Sequence, residues 1–408
     1  MTNDHDSFLE TLPSGWKFDR LKDVVSLRND KTDEASPEED YLELEDLESG
    51  TGRILNRRNT LEVESAVTRF KKGDVLFGKL RPYLEKYYEA EFDGKCTGEI
   101  LAFNPERMAS RFLLYCLGSR WFIERCNALA YGAKMPRVSW EKQLSQFNIP
   151  LPPRPEQQRI AAYLDASCAT IDAAIAAKRR QLDILNARFL SIVSHNTNGT
   201  GALWKRDKIF RLCEYIGSGG TPDSRNSDYY GGAIPWVQTG DLNDDWLSKT
   251  EKTVTEEGVH NFSSRLYPEN TLIVAMYGAT IGKLGILKME ATVNQACCAL
   301  VPRETVDMRF LFFKLMSMRD YLIALRKGGG QQNISQETIK QAYISYPTIS
   351  EQRRVVDMIE GTWTIQEMIR KNISHQIRCL LSYRKSLIHE CVTGQRRITE
   401  ADLRRAAS

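Results

Sequence analysis

The stretch Gly278–Leu284 is the plainest candidate for chemistry, because its glycines and Lys283 look like a loop that binds phosphate. A phosphate-binding loop places four residues between its glycines and follows its lysine with a hydroxyl that holds Mg²⁺. Here three residues separate the two glycines, and Leu284 stands where the hydroxyl would be. The sequence therefore predicts that this loop does not bind a nucleotide.

Other enzyme signatures are also missing from the sequence. The five histidines and nine cysteines show no metal-ligand spacing, so we predict no metal site. The Asn/Asp-Pro-Pro-Tyr/Phe string of amino-methyltransferases is absent, and so are nuclease, zinc-protease and nucleophile-elbow patterns. We predict a binding protein without catalytic residues.

Three segments, 78–86, 234–241 and 328–333, combine basic, aromatic and amide side chains in a way that suits the grooves of DNA, and residues 132–137 match the third segment in the first module. Lysine and arginine reach phosphates, arginine can also bind guanine edges, and glutamine or asparagine can read adenine. Segments 78–86 and 132–137 supply these candidate DNA contacts: Lys79, Arg81, Tyr83, Lys86, Lys134 and Arg137. Segments 234–241 and 328–333, with the glycine-rich loop 217–222, supply these: Gln238, Thr239, Gln331, Gln332, Asn333 and Thr221. For each residue taken alone, a solvated loop side chain is the alternative.

The composition limits the classes of protein without choosing among them. A chain of 408 residues has room for two or three domains, and its net charge of +3 means that DNA binding would need local basic faces. No apolar run looks long enough to span a bilayer, and the polar start of the chain does not resemble a signal peptide. With scattered cysteines, these features predict a cytoplasmic protein with reduced thiols and no membrane partner. The acidic stretch 30–48 predicts a solvated surface that faces away from DNA.

One phrase occurs twice in the chain, at a shift of 195 residues. Residues 155–161, Pro-Glu-Gln-Gln-Arg-Ile-Ala, are answered by residues 350–356, Ser-Glu-Gln-Arg-Arg-Val-Val. The same shift matches further pairs: Pro152 with Pro347, Leu164 with Ile359, Asp165 with Glu360, and Gly199 with Gly394. A repeat this long predicts one module, a globular domain followed by a helix, written twice.

The period of the apolar residues becomes helical after each copy of the phrase. Steps of four and three residues predict a heptad seam along a long helix. We predict that two such helices pair antiparallel and bury these seam residues: Leu164, Ile171, Ile175, Leu182, Leu185, Ile359, Ile373, Ile377 and Leu380. Gln366, Arg370 and Arg384 interrupt the second seam, so they could face a partner instead. Two unrelated core helices are the alternative.

The predicted fold class is α/β of the mixed α+β type. Two globular domains are joined by two long antiparallel coiled-coil helices in a pseudo-two-fold internal repeat. The predicted segments are a first globular domain at 1–154, a central helix at 155–195, a linker at 196–203, a second globular domain at 204–349, and a C-terminal helix and tail at 350–408.

Over nearly its whole length the chain resembles the DNA specificity subunits of type I restriction-modification systems. The resemblance is carried by both helix openings and by these stretches: 77–84, 219–222, 231–237, 240–242 and 277–283. It implies two target recognition domains that read the halves of a bipartite DNA site, and helices that set the spacing between the halves. It adds three candidate DNA contacts: Tyr277, Thr280 and Lys283. Because the two domains differ in sequence, it implies an asymmetric target.

The resemblance implies partners rather than cofactors for this chain. The partners would be double-stranded DNA, two copies of a modification (methyltransferase) subunit docked on the helices, and restriction subunits. S-adenosylmethionine would bind to the modification subunit and ATP to the restriction subunit. Two alternatives stay open: a stand-alone DNA-binding regulator or scaffold of the same fold, and a self-contained modification enzyme with an unrecognised pocket.

Overall fold

The chain forms two compact units, of which the first is built from two separate stretches of sequence and the second from one. The computed structural model describes residues 12–32, 39–59, 67–199, 203–262, 265–325 and 333–407. Unit 1 comprises residues 1–178 with 374–408, and unit 2 comprises residues 179–373. Because the boundaries fall inside the two long helices, each unit contains one globular region and a part of both helices.

The first globular region mixes short strands with helices. Its strands are β1 (Lys17–Arg20), β2 (Val25–Leu27), β3 (Lys31–Thr32), β4 (Asp40–Leu42), β5 (Arg58–Asn59), β6 (Val67–Phe70), β7 (Val75–Gly78), β8 (Tyr87–Glu89), β9 (Gly94–Cys96), β10 (Ile100–Pro105) and β11 (Asn148–Leu151). Its helices are α1 (Leu21–Val24), α2 (Ser110–Leu117) and α3 (Arg120–Leu129), and the long helix α4 (Arg154–Thr197) follows. The strands pair in the orders β2-β10-β7-β8, β3-β6-β9-β4-β5 and β1-β11.

The second globular region repeats this plan. Its strands are β12 (Lys205–Lys208), β13 (Cys213–Ser218), β14 (Tyr230–Val237), β15 (Asp245–Leu247), β16 (Lys252–Val254), β17 (Leu272–Ala275), β18 (Leu284–Leu287), β19 (Thr292–Val293), β20 (Cys297–Pro302) and β21 (Tyr343–Tyr346). Its helices are α5 (Ile209–Leu212), α6 (Glu256–Asn261), α7 (Met308–Ser317), α8 (Arg319–Ala324) and α9 (Gln336–Gln341). The long helix α10 (Ile349–Val392) and a tail helix α11 (Glu400–Ala407) complete the chain.

The sheets show that the repeat extends through the globular regions. The order β2-β10-β7-β8 in the first region returns as β13-β20-β17-β18 in the second, where β15 adds in parallel to β18. In both regions the first strand pairs antiparallel with the last strand before the long helix, as β1 with β11 and β12 with β21. The predicted fold class, a mixed α/β module that occurs twice and ends in a long helix, is confirmed.

The repeated sequence phrase forms a buried clamp at the start of each long helix. The side-chain amide of Gln157 donates to the Pro152 carbonyl (2.8 Å), and its oxygen accepts from the Ala109 N–H (2.7 Å). Gln352 makes the same two bonds in the second repeat, to the Pro347 carbonyl (2.9 Å) and from the Asp307 N–H (2.8 Å). Buried polar groups are costly unless they are bonded, so the clamp ties the start of each long helix to the start of α2 or α7.

In unit 1 the parts of α4 and α10 pack against each other in opposite directions. Glu156 near the start of α4 pairs with Arg397 beyond the end of α10, and Asp172 further along α4 pairs with Arg384 earlier in α10. Between them the seam residues Leu164, Ile171 and Ile175 are buried, and Ile377 and Leu380 pack against the same core.

Unit 2 pairs the remaining parts of these helices through aromatic residues. The ring of Phe189 in α4 lies 4.8 Å from that of Trp363 in α10, and Ile359 is fully buried beside them. The seam residues Leu182, Leu185 and Ile373 are only half-buried. The apolar stripe is therefore covered most completely where the helices meet the globular regions.

Two sequence expectations were wrong. Arg384 does not face away from the first helix: its guanidinium is buried and lies 3.1 Å from Asp172 of α4. The acidic stretch 30–48 is not simply solvated in its described part, because Asp46 is completely buried, accepts a hydrogen bond from the Glu43 N–H (2.8 Å) and pairs with Arg58. The partner of Arg384 is distant in sequence, whereas Asp46 is paired with Arg58 twelve residues along the chain, and a local charge pattern reveals neither pairing.

The expectation that no stretch is long and apolar enough to span a bilayer was also wrong by length and composition. Helix α4 contains an 18-residue window with a mean hydropathy of 1.4, of which 39% is buried. Core helices pass the same test, and Asp165 and Asp172 on this helix pair with arginines of unit 1. These ion pairs hold α4 against the first globular region.

The nine cysteines carry free thiols. Eight of these are buried, and Cys379 on α10 is exposed. Burial raises the pKa of four thiols to about 12, those of Cys96, Cys213, Cys298 and Cys391. In the described part of the chain, no group of three or more histidine, cysteine or acidic side chains is arranged to hold a metal ion.

Candidate nucleic-acid interface

The connection between β7 and β8 in unit 1, residues 79–86, presents basic side chains on a stiff turn. We call it the first hairpin loop. A one-turn 3₁₀ helix at Pro82–Leu84 sits at its centre, and the flanking residues Arg81 and Glu85 have φ angles of 50° and 52°. Non-glycine residues rarely adopt this left-handed conformation, so the loop is held by its surroundings rather than by its own preference.

A second segment of unit 1, residues 131–138, packs along the first hairpin loop. The Arg81 N–H donates to the Pro136 carbonyl (2.7 Å), and the Val138 N–H donates to the Lys79 carbonyl (3.1 Å). Arg137 forms a β-bridge with Leu80. The fold thus brings together four predicted DNA contacts that lie more than fifty residues apart in sequence: Lys79, Arg81, Lys134 and Arg137.

The side chains of this site differ in how free they are to bind. Tyr83 is 52% exposed and Lys134 is exposed, whereas Lys79 and Arg81 are half-buried. The guanidinium of Arg137 pairs with both carboxylate oxygens of Glu99, at 3.1 to 3.2 Å. A bound carboxylate fixes the plane of the arginine guanidinium. The remaining N–H donors of that guanidinium can then be oriented towards a base.

Lys86 is used within the protein. Its ammonium donates a hydrogen bond to the Leu47 carbonyl, and its own carbonyl accepts from the Gly78 N–H (2.8 Å) at the base of the hairpin. The structure therefore gives Lys86 an internal role, in contrast to Lys134 and Tyr83.

Unit 2 builds an equivalent loop from different residues. The second hairpin loop, residues 276–283, joins β17 to β18 and contains a one-turn 3₁₀ helix at Gly278–Thr280. At its base the Ala275 N–H donates to the Lys283 carbonyl (2.9 Å). Tyr277 is exposed, whereas Thr280 and Lys283 are half-buried. The phosphate-loop resemblance of this stretch thus arises from a tight hairpin connection.

The second hairpin loop is also accompanied by a distant segment. The Ile334 N–H donates to the Met276 carbonyl (2.9 Å), as the Val138 N–H does to Lys79 in unit 1. The half-buried Asn333, which precedes Ile334, therefore lies beside this loop as Arg137 lies beside the first. Gln331 and Gln332, the other two predicted contacts of this segment, lie outside the described residues.

The remaining predicted contacts lie around a cleft of about 630 Å³ in unit 2, which is lined by Thr221, Trp236 and Gln238 among others. The Thr221 hydroxyl donates to Gln295, and the indole N–H of the buried Trp236 donates to the Gly220 carbonyl (3.2 Å). These bonds hold the glycine-rich loop against β14. Gln238 and Thr239 follow that strand in a turn closed by Asp241, which accepts from the Gln238 N–H (2.8 Å).

The two hairpin loops are thus the same device with different chemistry. In each, the loop closes a β-hairpin, contains one 3₁₀ turn and is bonded to a segment that precedes the long helix. The first carries lysine, arginine and tyrosine, and the second carries tyrosine, threonine and a lysine. A family model described as the type I restriction modification DNA specificity domain matches this chain twice, over residues 13–182 and 203–378.

The chain belongs to this specificity family.

Individual proteins that the chain resembles are named as specificity subunits. It is 26% identical over 254 residues to the EcoR124I/EcoR124II specificity subunit of Escherichia coli, a match that covers 58% of this chain and 61% of that subunit. It is 30% identical over 180 residues to the MjaIX specificity subunit of Methanocaldococcus jannaschii, covering 41% of each. The chain therefore matches less than two thirds of the length of these curated relatives.

A solved structure described as the basis of complex assembly and conformational transition of the type I R-M system shares the fold. The TM-score is 0.72 at 18% identity, and the match covers 95% of this chain and all of that one.

Several structural residues of this specificity-family chain escaped the sequence reading. Arg319 of α8 donates to the Gly282 carbonyl of the second hairpin loop (2.9 Å) and pairs with Asp244, whose φ is 61°. Asp244 also accepts from the Leu284 N–H (2.9 Å), directly after the loop. No motif marks these two residues.

Proposed function

We propose that this chain is the DNA specificity subunit of a type I restriction-modification complex, and that it recognises a bipartite, asymmetric site in double-stranded DNA. Family membership supports this role. The observation that carries it is the pair of hairpin loops, which share a backbone arrangement but differ in side chains. Two similar readers with different chemistry suit a target whose two halves have different sequences.

The DNA contacts that we propose are the predicted ones. In unit 1 they are Lys79, Arg81, Tyr83, Lys134 and Arg137, with Lys86 as a residue that would have to leave the Leu47 carbonyl to reach DNA. In unit 2 they are Thr221, Gln238, Thr239, Tyr277, Thr280, Lys283 and Asn333, together with Gln331 and Gln332. Arginine and lysine at the first loop favour guanine edges and phosphates, whereas the amides of Gln238 and Asn333 in unit 2 favour adenine.

The long helices would dock the other subunits. In unit 2 several large apolar side chains on these helices are 40% to 68% exposed, namely Ile184, Leu190, Ile365, Met368 and Ile369. Exposed apolar patches of this kind mark surfaces that bind other proteins. We propose that they receive modification subunits, in two copies per specificity chain, and that restriction subunits join through them. S-adenosylmethionine would bind to the modification subunit and ATP to the restriction subunit, with the whole complex in the cytoplasm and no catalytic residue in this chain.

The test is to express this chain with the methyltransferase encoded beside it, in a host that lacks adenine methylation, and to map methylated adenines across the genome. We expect a two-part motif with a fixed gap that disappears when this chain is omitted. The variant carrying Lys79→Ala and Arg81→Ala should lose or relax one half of the motif only. The variant Lys72→Ala, an exposed lysine outside the loop, is the matched control and should leave the motif intact.

Two outcomes would contradict the proposal. A soluble complex that methylates no defined motif would favour a stand-alone DNA-binding regulator or scaffold. Binding of S-adenosylmethionine by the purified chain alone would favour a self-contained modification enzyme.

A further inference from the structure

In unit 1 the first hairpin loop is tied to helix α10 by an ion pair. The ammonium of Lys385 lies 2.6 Å from the carboxylate of Glu85. Glu85 is the residue that ends the 3₁₀ turn of the loop, and its N–H donates to the Pro82 carbonyl (2.9 Å). Lys385 of α10 therefore holds Glu85 in place, and Glu85 ends the turn that carries Arg81 and Tyr83.

A second link runs through Gly50. Its N–H donates to the Glu85 carbonyl (2.9 Å), and its own carbonyl accepts from the guanidinium of Arg384 (2.9 Å). Gly50 has a φ of 72°, and a Cβ there would lie 2.9 Å from the Glu85 carboxylate. Glycine is favoured at this position because its φ lies in the left-handed region, which other residues rarely adopt.

Arg384 is itself fixed by its surroundings. It is 7% exposed, and its Nε lies 3.1 Å from Asp172 of α4. The other carboxylate oxygen of Asp172 lies 2.8 Å from the guanidinium of Arg53. Arg53 belongs to the same segment as Gly50. A buried arginine that meets a carboxylate and a carbonyl is costly to displace, because its charge would lose partners that water cannot replace.

The phenol of Tyr87 completes this cluster. Tyr87 opens strand β8, directly after the loop, and it is buried against Arg384, so burial raises the pKa of its phenol to about 12. The first hairpin loop is thus connected to both long helices through Glu85, Gly50 and Tyr87.

Unit 2 has another arrangement at the matching place. Phe189 stands at the position that corresponds to Arg384 by the shift of 195, and its ring packs on Trp363 and Phe313. Between Trp363 of α10 and the segment of Asp245 and Trp246 lies a cleft of about 490 Å³. Among the described residues of unit 2, the ion pair found at the second hairpin loop is that of Arg319 and Asp244, which belongs to the globular region.

We propose that Glu85, Arg384 and Lys385 are positioning residues that aim the first hairpin loop from helix α10, so that base discrimination at one half-site depends on this helix and discrimination at the other does not. This rests on the proposed function, because it takes the first hairpin loop as a DNA reader. Base contacts are sensitive to small displacements of the loop, since bidentate hydrogen bonds need both donors in place. A loop that has lost the contacts of Glu85, Arg384 and Lys385 keeps its charge and its phosphate contacts. Its side chains are no longer held in the orientation that base contacts need.

The test uses the full-length chain in complex with its methyltransferase and measures the initial rate of methylation on DNA duplexes. Each duplex carries one base change in either half of the mapped motif. The variants are Lys385→Gln, Glu85→Gln, Arg384→Lys and the charge exchange that combines Glu85→Lys with Lys385→Glu. Arg378→Gln is the matched control, because Arg378 is an exposed residue in the unit 1 part of the same helix.

We expect Lys385→Gln and Glu85→Gln to lower discrimination at the first half by roughly threefold, as suits a half-exposed ion pair worth about 0.6 kcal/mol. Discrimination at the second half should stay as in the wild type, and the charge exchange should restore most of the first. Arg384→Lys, which keeps the charge but not the fork of donors, should lower discrimination at the first half further. Arg378→Gln should change neither half.

An equal loss of base discrimination at both halves of the motif would overturn the proposed positioning role of Glu85, Arg384 and Lys385, because it would indicate a general loss of stability. No change at either half, in variants whose melting temperature matches that of the wild type, would also overturn it. If the wild-type complex methylates no two-part motif, the proposed function fails, and the positioning role of Glu85, Arg384 and Lys385 fails with it. The wild-type motif therefore separates the two failures.

Discussion

Arg384 in unit 1 and Phe189 in unit 2 occupy matching positions of the repeat and do opposite things. Arg384 is buried among Asp172, Tyr87 and the Gly50 carbonyl, whereas Phe189 is buried among aromatic rings. Both side chains close the space between a long helix and a globular region. Arg384 does so with directed hydrogen bonds to the segment beside the first hairpin loop. Phe189 does so with ring contacts, and a cleft lined by Asp245 and Trp246 lies beside its partner Trp363.

The difference shows that one backbone plan can connect helix and loop to different degrees. A guanidinium has fixed donor directions, so it couples the orientation of its partners to the helix. Stacked rings hold the helix by contact area and impose few directions on the loop. We therefore expect changes at the helix to reach the first half of the molecule through polar contacts and the second half through stability alone.

The largest expected effect is that of Phe189→Ala in unit 2. Removing a ring that packs on Phe313 and Trp363 should lower the free energy of unfolding by about 3 to 5 kcal/mol. Urea denaturation followed by circular dichroism measures this loss. Leu190→Ala is the matched control, because the next residue on the helix is 40% exposed and its truncation should cost less than about 1 kcal/mol. Similar losses for both variants would break the comparison.

Arg384→Ala should have the next largest effect on stability. It leaves Asp172 with Arg53 alone and leaves the Gly50 carbonyl without its donor, which should cost about 2 to 3 kcal/mol. Urea denaturation of this variant beside Arg378→Ala, an exposed arginine of the same helix, measures the difference. If the two variants were equally stable, the polar cluster would contribute nothing that a solvated arginine does not.

A buried lysine distinguishes unit 2 by its response to pH. Burial lowers the pKa of Lys314 to about 8, and its ammonium donates to the Thr197 carbonyl (3.0 Å) at the end of α4. Because the unfolded chain keeps this proton up to about pH 10.5 and the folded chain releases it near pH 8, the contribution of Lys314 to stability should rise with pH between these values.

The measurement is urea denaturation of the wild type and of Lys314→Met at pH 8.0 and pH 9.5. The wild type should gain about 1.5 kcal/mol on the variant over this range. A constant difference between the two proteins would mean that Lys314 keeps its proton in the folded state.

The smallest effect concerns the charges of the two hairpin loops. Each lysine or arginine that binds a phosphate contributes about 0.9 to the slope of the logarithm of affinity against the logarithm of salt concentration. Lys79→Ala should therefore reduce the slope by about this amount, and Tyr277→Phe should leave it unchanged. Fluorescence anisotropy of a labelled duplex at several salt concentrations gives the slopes. Equal slopes for the Lys79→Ala variant and the wild type would remove Lys79 from the phosphate contacts.

The sequence predicted what depends on periodicity and repetition. The two long helices begin at Arg154 and Ile349, within a residue of the predicted starts, because the heptad pattern and the repeated phrase mark them directly. The sequence also predicted that segments 132–137 and 328–333 correspond to each other in the two modules. Val138 and Ile334, which follow these segments, make the same backbone bond to their hairpin loops.

What depended on distant partners could not be predicted. The charge of Arg384 suggested an exposed residue, yet Asp172 lies more than two hundred residues earlier and buries it. Lys86 has the residue type of a DNA contact, but the carbonyl that binds its ammonium belongs to Leu47, on another strand connection. Local patterns rank residues by type, and only the folded chain assigns their partners.

Cys379 is exposed on helix α10, while the other eight thiols are buried, several of them with a raised pKa. The thiolate of an accessible cysteine attacks thiol-reactive dyes, so the natural chain offers one site for a fluorophore or a spin label without prior removal of any cysteine. That site lies on the helix five residues before Arg384, so a probe there would report on the assembly of the complex beside the polar cluster of unit 1.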